Sequence, residues 1–291
     1  TGIVSVITNS VCNWDASSNN DWITITSGKS GSGGGTVNYM VSSNSTNGSR
    51  TGYLNISGET FTITQSANST SNYSAHYDVN GDGRTDIIGI GADIERFVVW
   101  KSSGSSFNSG AQWYRGSNNY SAYIFDIGDV NGDVKSDIVG IEPKLERFVV
   151  WKSNGSGFNS GAEWYAGFNN YSVYKFNVAD VSGDMKADIL GIEPKLERFV
   201  VWESNGSGFN SGVEWHSGQN DYSTYNFDVA DVNGDGQSDI IGIEPALERF
   251  VVWKSYGSGF NTGVEWYDGD YSYLNYKFVV ADANGDGSAD I

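Results

Sequence analysis

Short apolar runs alternate along the chain with clusters of Gly, Asn, Asp and Ser. Few segments place apolar residues at the spacing of three or four that a helix requires. The runs are rich in Val, Ile, Phe and Trp, and turn-forming residues bound each of them, which is typical of β-strands. The pattern therefore predicts an all-β protein.

One acidic stretch, DVNGDGQSDI and its variants, recurs at a fixed spacing in the second part of the chain. Each copy begins 51 residues after the one before, and the copies begin at Asp78, Asp129, Asp180, Asp231 and Asp282. The segments between the copies recur as well. ERFVVW is found four times, and a turn-like GSGFNSG motif and a Trp-containing segment follow it. A fixed period of this kind indicates a repeat architecture.

Each repeat predicts four strands. The first leads into the acidic stretch, DIxGI leaves it, and RFVVW and the Trp segment follow. Both faces of FVVW are apolar, as expected for a strand buried between stacked sheets. A four-stranded unit of this length is the blade of a β-propeller. We therefore predict propeller repeats over residues 73–291, as four full repeats and a partial fifth.

Residues 1–67 do not follow this period. Their short strands, separated by Gly, Ser and Asn turns, predict a small β-sandwich, and residues 68–72 form a polar linker. Cys12 is the only cysteine, so the chain has no internal disulfide. We expect Cys12 to be a buried thiol, because a reactive cysteine needs a basic neighbourhood that the sequence does not show.

The acidic stretch predicts a Ca²⁺ site. Its D-x-N-x-D-x-x-x-D spacing places side-chain oxygens at positions 1, 3, 5 and 9, and Ca²⁺ prefers about six to eight oxygen ligands. The alternative is an acidic turn with solvated carboxylates and no ion. The predicted ligands are Asp78, Asn80, Asp82 and Asp86; Asp129, Asn131, Asp133 and Asp137; Asp180, Ser182, Asp184 and Asp188; Asp231, Asn233, Asp235 and Asp239; and Asp282, Asn284, Asp286 and Asp290.

The five loops differ in sequence. Val134 and Met185 stand at position 6 in loops two and three, where the others have Gly, and Ser182 replaces the Asn of position 3. We expect weaker Ca²⁺ binding in these two loops. No His accompanies any loop, so we expect the metal to be structural and not catalytic.

The formal net charge of −18 excludes nucleic acid as a partner, since phosphate binding needs a basic surface. No stretch approaches the roughly 18 apolar residues of a membrane span, so we expect no membrane insertion. The chain opens with Thr and shows no signal peptide. We expect a processed, secreted chain in the extracellular space or at the cell surface.

The repeats resemble the FG-GAP or VCBS family, the integrin-α-like propeller repeats with Ca²⁺ loops. The resemblance covers about residues 73–291 and rests on Asp231, Asn233, Asp235 and Asp239 with DIIGI, and on the matching positions of the other copies. It implies adhesion, sugar binding or assembly. The first part resembles a BACON domain, an immunoglobulin-like β-sandwich module, in CNWDASSNNDWITI, GSGGGTVNYMV, RTGYLNISG and FTITQ. That resemblance implies carbohydrate association or a spacer role.

Each repeat also offers a candidate sugar-binding tryptophan beside Tyr, Glu and Asn. These are Trp113, Trp164, Trp215 and Trp266. Sugars stack on aromatic rings and hydrogen-bond to carboxylates and amides. The alternative is that these residues pack the blades, and it is the stronger interpretation because an aromatic residue at every period is what the fold itself requires.

The sequence indicates a protein that is not an enzyme. Outside the acidic loops it shows no paired carboxylates, no nucleophile elbow and no His-based triad.

The leading hypothesis is adhesion or carbohydrate binding, with glycans or cell-surface proteins as partners. The alternative is a structural subunit that self-assembles into an extracellular fibre or surface layer, in which a neighbouring chain supplies the strands of the partial fifth repeat. Continuation of the chain is the other explanation for that partial repeat. A third hypothesis is a pair of accessory domains of a glycoside hydrolase.

Overall fold

The computed structural model describes residues 2–42, 50–65, 77–274 and 276–291, so the predicted linker 68–72 lies outside the described residues. The chain divides into two compact units, Thr1–Ser71 and Asn72–Ile291. The described residues form β-strands and two single-turn 3-10 helices, Ala92–Ile94 and Pro194–Leu196, which confirms the all-β prediction. No helix among these residues is long and apolar enough to cross a membrane.

The first unit consists of two antiparallel sheets. Its strands are Gly2–Val6 (β1), Asn13–Ser18 (β2), Ile23–Ser27 (β3), Ser30–Ser32 (β4), Gly35–Val41 (β5), Arg50–Ile56 (β6) and Glu59–Gln65 (β7). The sheet orders are β1-β5-β3 and β4-β2-β6-β7. Ile23 and Val37 of one sheet share an apolar core with Trp14, Leu54 and Ile63 of the other, so the two sheets pack face to face.

Alternation along the strands builds this core. In β2, Trp14 and Ala16 are buried, while Asn13 and Asp15 beside them are exposed. Cys12 is exposed, so the prediction of a buried thiol is wrong. The physical reason is its position in a surface turn before β2, where its N–H donates to the Asn9 carbonyl (3.0 Å).

The second unit contains four antiparallel sheets, one for each full repeat. The first sheet has three strands among the described residues, and the other three have the predicted four. The strands are Ile87–Gly91 (β8), Arg96–Trp100 (β9) and Ala111–Arg115 (β10); Ile124–Gly128 (β11), Asp137–Glu142 (β12), Arg147–Trp151 (β13) and Ala162–Ala166 (β14); Lys175–Ala179 (β15), Asp188–Glu193 (β16), Arg198–Trp202 (β17) and Val213–Ser217 (β18); and Asn226–Ala230 (β19), Asp239–Glu244 (β20), Arg249–Trp253 (β21) and Val264–Asp268 (β22).

In the second repeat, the RFVVW strand is buried on both faces, as its sequence predicts. Phe148, Val149, Val150 and Trp151 are each no more than 5% exposed. The neighbouring strand makes room for the indole through its glycine, because a Cβ on Gly140 would lie 3.0 Å from the Trp151 ring. This contact explains the Gly of DIxGI in every repeat.

The same contacts join each repeat to the next. Trp151 packs edge-on against Phe97 of the preceding repeat, with ring centroids 5.3 Å apart, and its indole N–H donates to the buried Glu95 carboxylate (3.2 Å). Glu95 also accepts the backbone N–H groups of Ser117 and Asn118 (3.0 and 2.9 Å). Glu146 and Glu197 receive the indoles of the next repeats in the same way, each at 3.1 Å. These buried carboxylates are satisfied by several donors, and so they hold successive sheets together.

Candidate functional site

The five acidic loops share one backbone conformation, which the aspartate at position 1 fixes. In the fourth loop, Asp231 accepts the N–H groups of Gly234 (2.7 Å), Asp235 (3.2 Å) and Gly236 (2.8 Å). The equivalent three bonds form in the loops that begin at Asp78, Asp129, Asp180 and Asp282. The turn is therefore built from its own sequence in every repeat.

The aspartate at position 9 ties each of the first four loops to the turn after RFVVW. Asp239 is buried, and its carboxylate accepts the Ser255 N–H (2.8 Å) and the Asn233 side-chain N–H (3.0 Å). Asp86, Asp137 and Asp188 accept the equivalent backbone N–H at 2.8 to 2.9 Å. Each of these four carboxylates is at most 1% exposed.

This burial raises the pKa values of the carboxyl groups at position 9. Desolvation is the largest cause, and it brings the pKa of Asp137 to about 8 and those of Asp188 and Asp239 to about 7. The charges of the aspartates at positions 1 and 5 raise these pKa values further, while the backbone hydrogen bonds lower them. Carboxylates so close together are costly to ionise without a positive partner, which a cation could supply.

The donor set fits a hard cation, since every predicted side-chain ligand carries oxygen. In the part of the chain that the structure describes, however, no three His, Cys, Asp or Glu side chains lie close enough together to hold a metal ion. Backbone N–H groups occupy the aspartate oxygens, and the amide nitrogen of Asn233 faces Asp239. A half-turn of that amide would present its oxygen instead. Ca²⁺ binding by these residues stays a prediction.

Neighbouring loops are bonded to each other, which the sequence did not predict. The Ser238 N–H donates to the Asp180 carbonyl (2.7 Å), and the Ser255 hydroxyl donates to the Val181 carbonyl (2.6 Å). Equivalent bonds link the other loops. The Ser that follows RFVVWx in each repeat is the sequence feature that could have predicted these hydrogen bonds. The loops of the second unit therefore lie in a continuous row.

Two features distinguish the loops from one another. Val134 and Met185 adopt left-handed backbone conformations (φ 65° and 67°), which favour Gly. Lys135 and Lys186 also pair with the position 5 carboxylates of the same loops (3.5 and 2.5 Å). Arg84 pairs in this way in loop one (3.3 Å), whereas loops four and five carry Gln237 and Ser288 at that position. The competing basic side chain is common to loops one, two and three, so only the backbone strain at Val134 and Met185 supports weaker ion binding in loops two and three.

The structure places three of the four candidate sugar-binding tryptophans between repeats. Trp113, Trp164 and Trp215 pack against the Phe of the next repeat, with ring centroids 5.5 to 5.7 Å apart. Trp215 is 9% exposed, whereas Trp266 is 49% exposed. Packing thus accounts for the first three, and sugar binding by any of the four stays a prediction.

A cavity of about 450 Å³ lies where the third and fourth repeats meet, and none of those tryptophans lines it. The third repeat contributes Asn220, Asp221, Tyr222, Thr224 and Tyr225, and the fourth contributes Glu244, Arg249, Val251, Gly263 and Glu265. Sequence reasoning missed this site because two repeats build it together. The recurring N-[ND]-Y-S-x-Y motif at 118–123, 169–174 and 220–225 was the available signal.

The polar groups of the cavity are held in place by one another. Arg249 lies 3.0 Å from a carboxylate oxygen of Glu265 and 3.6 Å from one of Asp268. The Thr224 hydroxyl donates to the Glu244 carboxylate. Burial raises the pKa of the Tyr225 hydroxyl, and its hydrogen bond with Arg249 lowers it. The cavity therefore combines tyrosine rings with fixed donors and acceptors.

Two solved structures share this fold. One is an Agrocybe aegerita lectin that specifically recognises non-reducing terminal N-acetylglucosamine, with a TM-score of 0.57 and 20% identity over 94% of this chain and 73% of that one. The other is the Photorhabdus luminescens Tc holotoxin pore, with a TM-score of 0.51 and 15% identity over 99% of this chain. This chain spans 14% of that protein's length. At such identities the likeness concerns the fold alone.

Family models match both units. The BACON model, "Putative binding domain, N-terminal", matches residues 13–66, and the FG-GAP-like repeat model matches residues 78–140 and 180–242. A search of curated proteins gives no match. The prediction from the motifs is confirmed for these segments: the chain contains a BACON domain at residues 13–66 and FG-GAP-like repeats at residues 78–140 and 180–242.

Proposed function

We propose that this chain is a secreted, non-enzymatic protein that binds carbohydrate or mediates adhesion, and that Ca²⁺ stabilises its propeller-like second unit. The observation that carries the proposal is the cavity between the third and fourth repeats. Tyrosine rings, an arginine and three carboxylates line this half-open cavity. Clefts of about 300–1,000 Å³ with a few placed polar groups are typical ligand sites.

The contacts between the first strands of neighbouring sheets support a propeller. The Lys175 ammonium donates to the Tyr225 carbonyl (3.0 Å), and the Val178 N–H donates to Asp126 (2.8 Å), so the first strands of neighbouring sheets touch. Burial raises the pKa of Tyr77, and the charges of Asp126 and Asp228 raise it further. Charges on the first strands of the second and fourth sheets thus both act on Tyr77, as expected for strands around a common axis.

The composition of the loops supports Ca²⁺ as the cofactor. The side chains at positions 1, 3, 5 and 9 would hold the ion, as in Asp231, Asn233, Asp235 and Asp239 of the fourth loop. A bound Ca²⁺ would supply positive charge among three carboxylates and fix the loop between two strands. The raised pKa values of the buried carboxyl groups at position 9 are consistent with a site shaped for a cation.

The chemistry of the cavity supports a glycan as the ligand. The half-buried Tyr222 ring can stack on the apolar face of a sugar, and Arg249, Glu244 and Glu265 can bond its hydroxyls. The lectin with a similar fold recognises a terminal sugar, which makes N-acetylglucosamine-ended glycans a sensible first probe. A BACON domain beside the repeats fits the same class of protein.

The described residues also favour binding over catalysis. His216 is the one histidine among them, and it stacks on Phe199 (ring centroids 5.0 Å apart) and faces the Glu197 carboxylate (3.3 Å). It is therefore engaged in packing the third repeat. In the cavity, Glu265 pairs with Arg249 and Glu244 accepts the Thr224 hydroxyl, so both carboxylates are engaged in contacts with the protein.

A glycan array with the full chain, in Ca²⁺ and in EDTA, tests the proposal. We expect binding in Ca²⁺ that EDTA removes. Arg249→Gln should then weaken binding of the best glycan about tenfold, since bonds to charged groups contribute about 1.5–3 kcal/mol. Arg115→Gln, an exposed position that does not line the cavity, is the matched control. A blank array with folded, Ca²⁺-loaded protein contradicts the proposal.

A second candidate function is that of a structural subunit in an extracellular assembly. The observation that favours it is the outer face of the fourth sheet, where Trp266 is 49% exposed although its counterpart Trp215 is 9% exposed. Exposed aromatic faces of this kind mark association surfaces.

A further inference from the structure

Three junctions between successive repeats share one set of polar contacts. At each junction an arginine of the later repeat pairs with a glutamate on the last strand of that repeat. It also donates a hydrogen bond to the hydroxyl of the second tyrosine in the N-[ND]-Y-S-x-Y motif of the earlier repeat. The ion pairs are Arg147–Glu163, Arg198–Glu214 and Arg249–Glu265, with 3.0 to 3.1 Å between nitrogen and oxygen. The third junction, between the third and fourth repeats, holds the cavity of about 450 Å³ described above.

The second junction, between the second and third repeats, contains the same groups as that cavity. The Arg198 guanidinium lies 3.1 Å from the Glu214 carboxylate and 3.8 Å from that of Glu193. It also lies 3.5 Å from the Tyr174 hydroxyl. The Tyr171 ring, from the first tyrosine of the motif, is half-buried. The donors and acceptors that make the third junction a candidate glycan site are therefore repeated at the second.

The second junction differs from the other two in the chain segment that connects the repeats. It has Phe168 just before the motif, where the first junction has Ser117 and the third has Gln219. Phe168 is fully exposed. Val173, inside the motif, is 67% exposed, and the first and third junctions have Ala and Thr at that position. The second junction therefore adds two large apolar side chains, one of them aromatic, to the shared polar groups.

The backbone of Phe168 is held in place. The N–H groups of Phe168 and Asn169 donate to the Glu146 carboxylate (3.0 and 2.9 Å), and the Asn169 side-chain amide donates to the same oxygen (3.0 Å). Glu146 is 1% exposed and also accepts the Trp202 indole N–H (3.1 Å). The ring is thus exposed on a fixed base, one residue before the motif, so its contact with a ligand would cost little backbone entropy.

We propose that the second junction binds a glycan of two or more sugar residues, and that Phe168 stacks on the residue next to the terminal one. The proposal rests on the proposed carbohydrate-binding function and adds to it a second site and a residue that determines specificity. Arg198 and Glu193 would bond hydroxyls of the terminal sugar. The Phe168 ring lies outside these polar groups, where it can stack on the apolar face of the following sugar.

Isothermal titration of the full chain tests the proposal. The ligands are the best glycan from the array and its isolated terminal monosaccharide, and Arg147→Gln and Arg249→Gln are present throughout to weaken the first and third junctions. We expect the longer glycan to bind about fivefold more tightly than the monosaccharide. Phe168→Ser should abolish this gain and leave the affinity for the monosaccharide unchanged, whereas Phe168→Trp should retain the gain. Phe168 is fully exposed, so both variants should fold.

Gln219→Ser is the matched control, because Gln219 holds the equivalent position at the third junction. It should change neither affinity. Equal affinities for the two ligands, a gain that survives Phe168→Ser, or an equal loss in Gln219→Ser overturns the proposal, although the binding itself still supports the carbohydrate-binding function. Loss of all binding with Arg147→Gln and Arg249→Gln also overturns it, and a blank array overturns both proposals.

Discussion

The two units of the chain bury different kinds of side chain. Among the described residues of the first unit, no polar or charged residue is buried, and Trp14, Val37 and Leu54 lie at the centre of an apolar core. The second unit buries carboxylates in every full repeat, such as Asp137 and Glu146. The core of the first unit thus holds no buried charge among the described residues, whereas the stability of the second unit also depends on how its buried charges are neutralised.

Removal of Ca²⁺ gives the largest expected difference between the units. Chelation should lower the melting temperature of the second unit by about 10 °C or more, because each lost ion removes binding free energy from the folded state. The transition of the first unit should not move. Differential scanning calorimetry of the full chain with EDTA and with excess Ca²⁺ measures both. Equal shifts in the two transitions, or no shift in either, would contradict the claim that only the second unit depends on Ca²⁺.

The next largest effect should come from the buried glutamates. Glu146→Ala leaves the Trp202 indole and the N–H groups of Phe168 and Asn169 without their acceptor. We expect the free energy of unfolding of the second unit to fall by about 4 kcal/mol. Urea denaturation followed by Trp fluorescence measures this loss. Glu163→Ala, at an exposed ion pair, should cost less than about 1 kcal/mol, and a similar cost for both variants contradicts the role of Glu146.

Leu54→Ala should destabilise the first unit and leave the second unit unchanged. Leu54 is fully buried in the first unit, and its truncation leaves a cavity that should cost about 3 kcal/mol. The same urea experiment should show the loss in the first-unit transition alone. Destabilisation of both units by this one change would show that they do not unfold independently.

The smallest expected effect concerns differences within the second unit. Val134→Gly removes a left-handed Val from loop two and should raise its Ca²⁺ affinity about fivefold, because that conformation costs a β-branched residue about 1 kcal/mol. Gly236→Val should weaken loop four by a similar factor. Competition titration with a Ca²⁺ indicator measures both. Unchanged affinities would contradict the predicted ranking of the loops.

The periodic features of the fold could be predicted from the sequence. A constant 51-residue spacing fixes the loops, the RFVVW strands and the Gly that accommodates Trp151, because each depends on neighbours within one repeat. Cys12 was misplaced because the sequence alone did not show where β2 begins. Glu95 and its counterparts were missed as acceptors for buried indoles, since their partners lie one repeat further along the chain.

The candidate site could be predicted only in part, because some of its contacts form between residues of different repeats. The conformation of the acidic loops follows from local sequence, as the three N–H bonds to Asp231 illustrate. The cavity that Tyr222 and Arg249 line exists only after two repeats pack together. Trp215 was a candidate sugar ligand in the sequence, but the contact with Phe260 of the next repeat decides how buried it is.

Isothermal titration of Ca²⁺ into the chelator-treated full chain tests most directly whether the buried carboxylates of the second unit form metal sites. We expect saturable binding with one ion per loop, in which loops two and three form the weaker class. We also expect proton release as the carboxyl groups at position 9 with raised pKa values ionise. Absence of saturable binding by the folded chain would contradict the account.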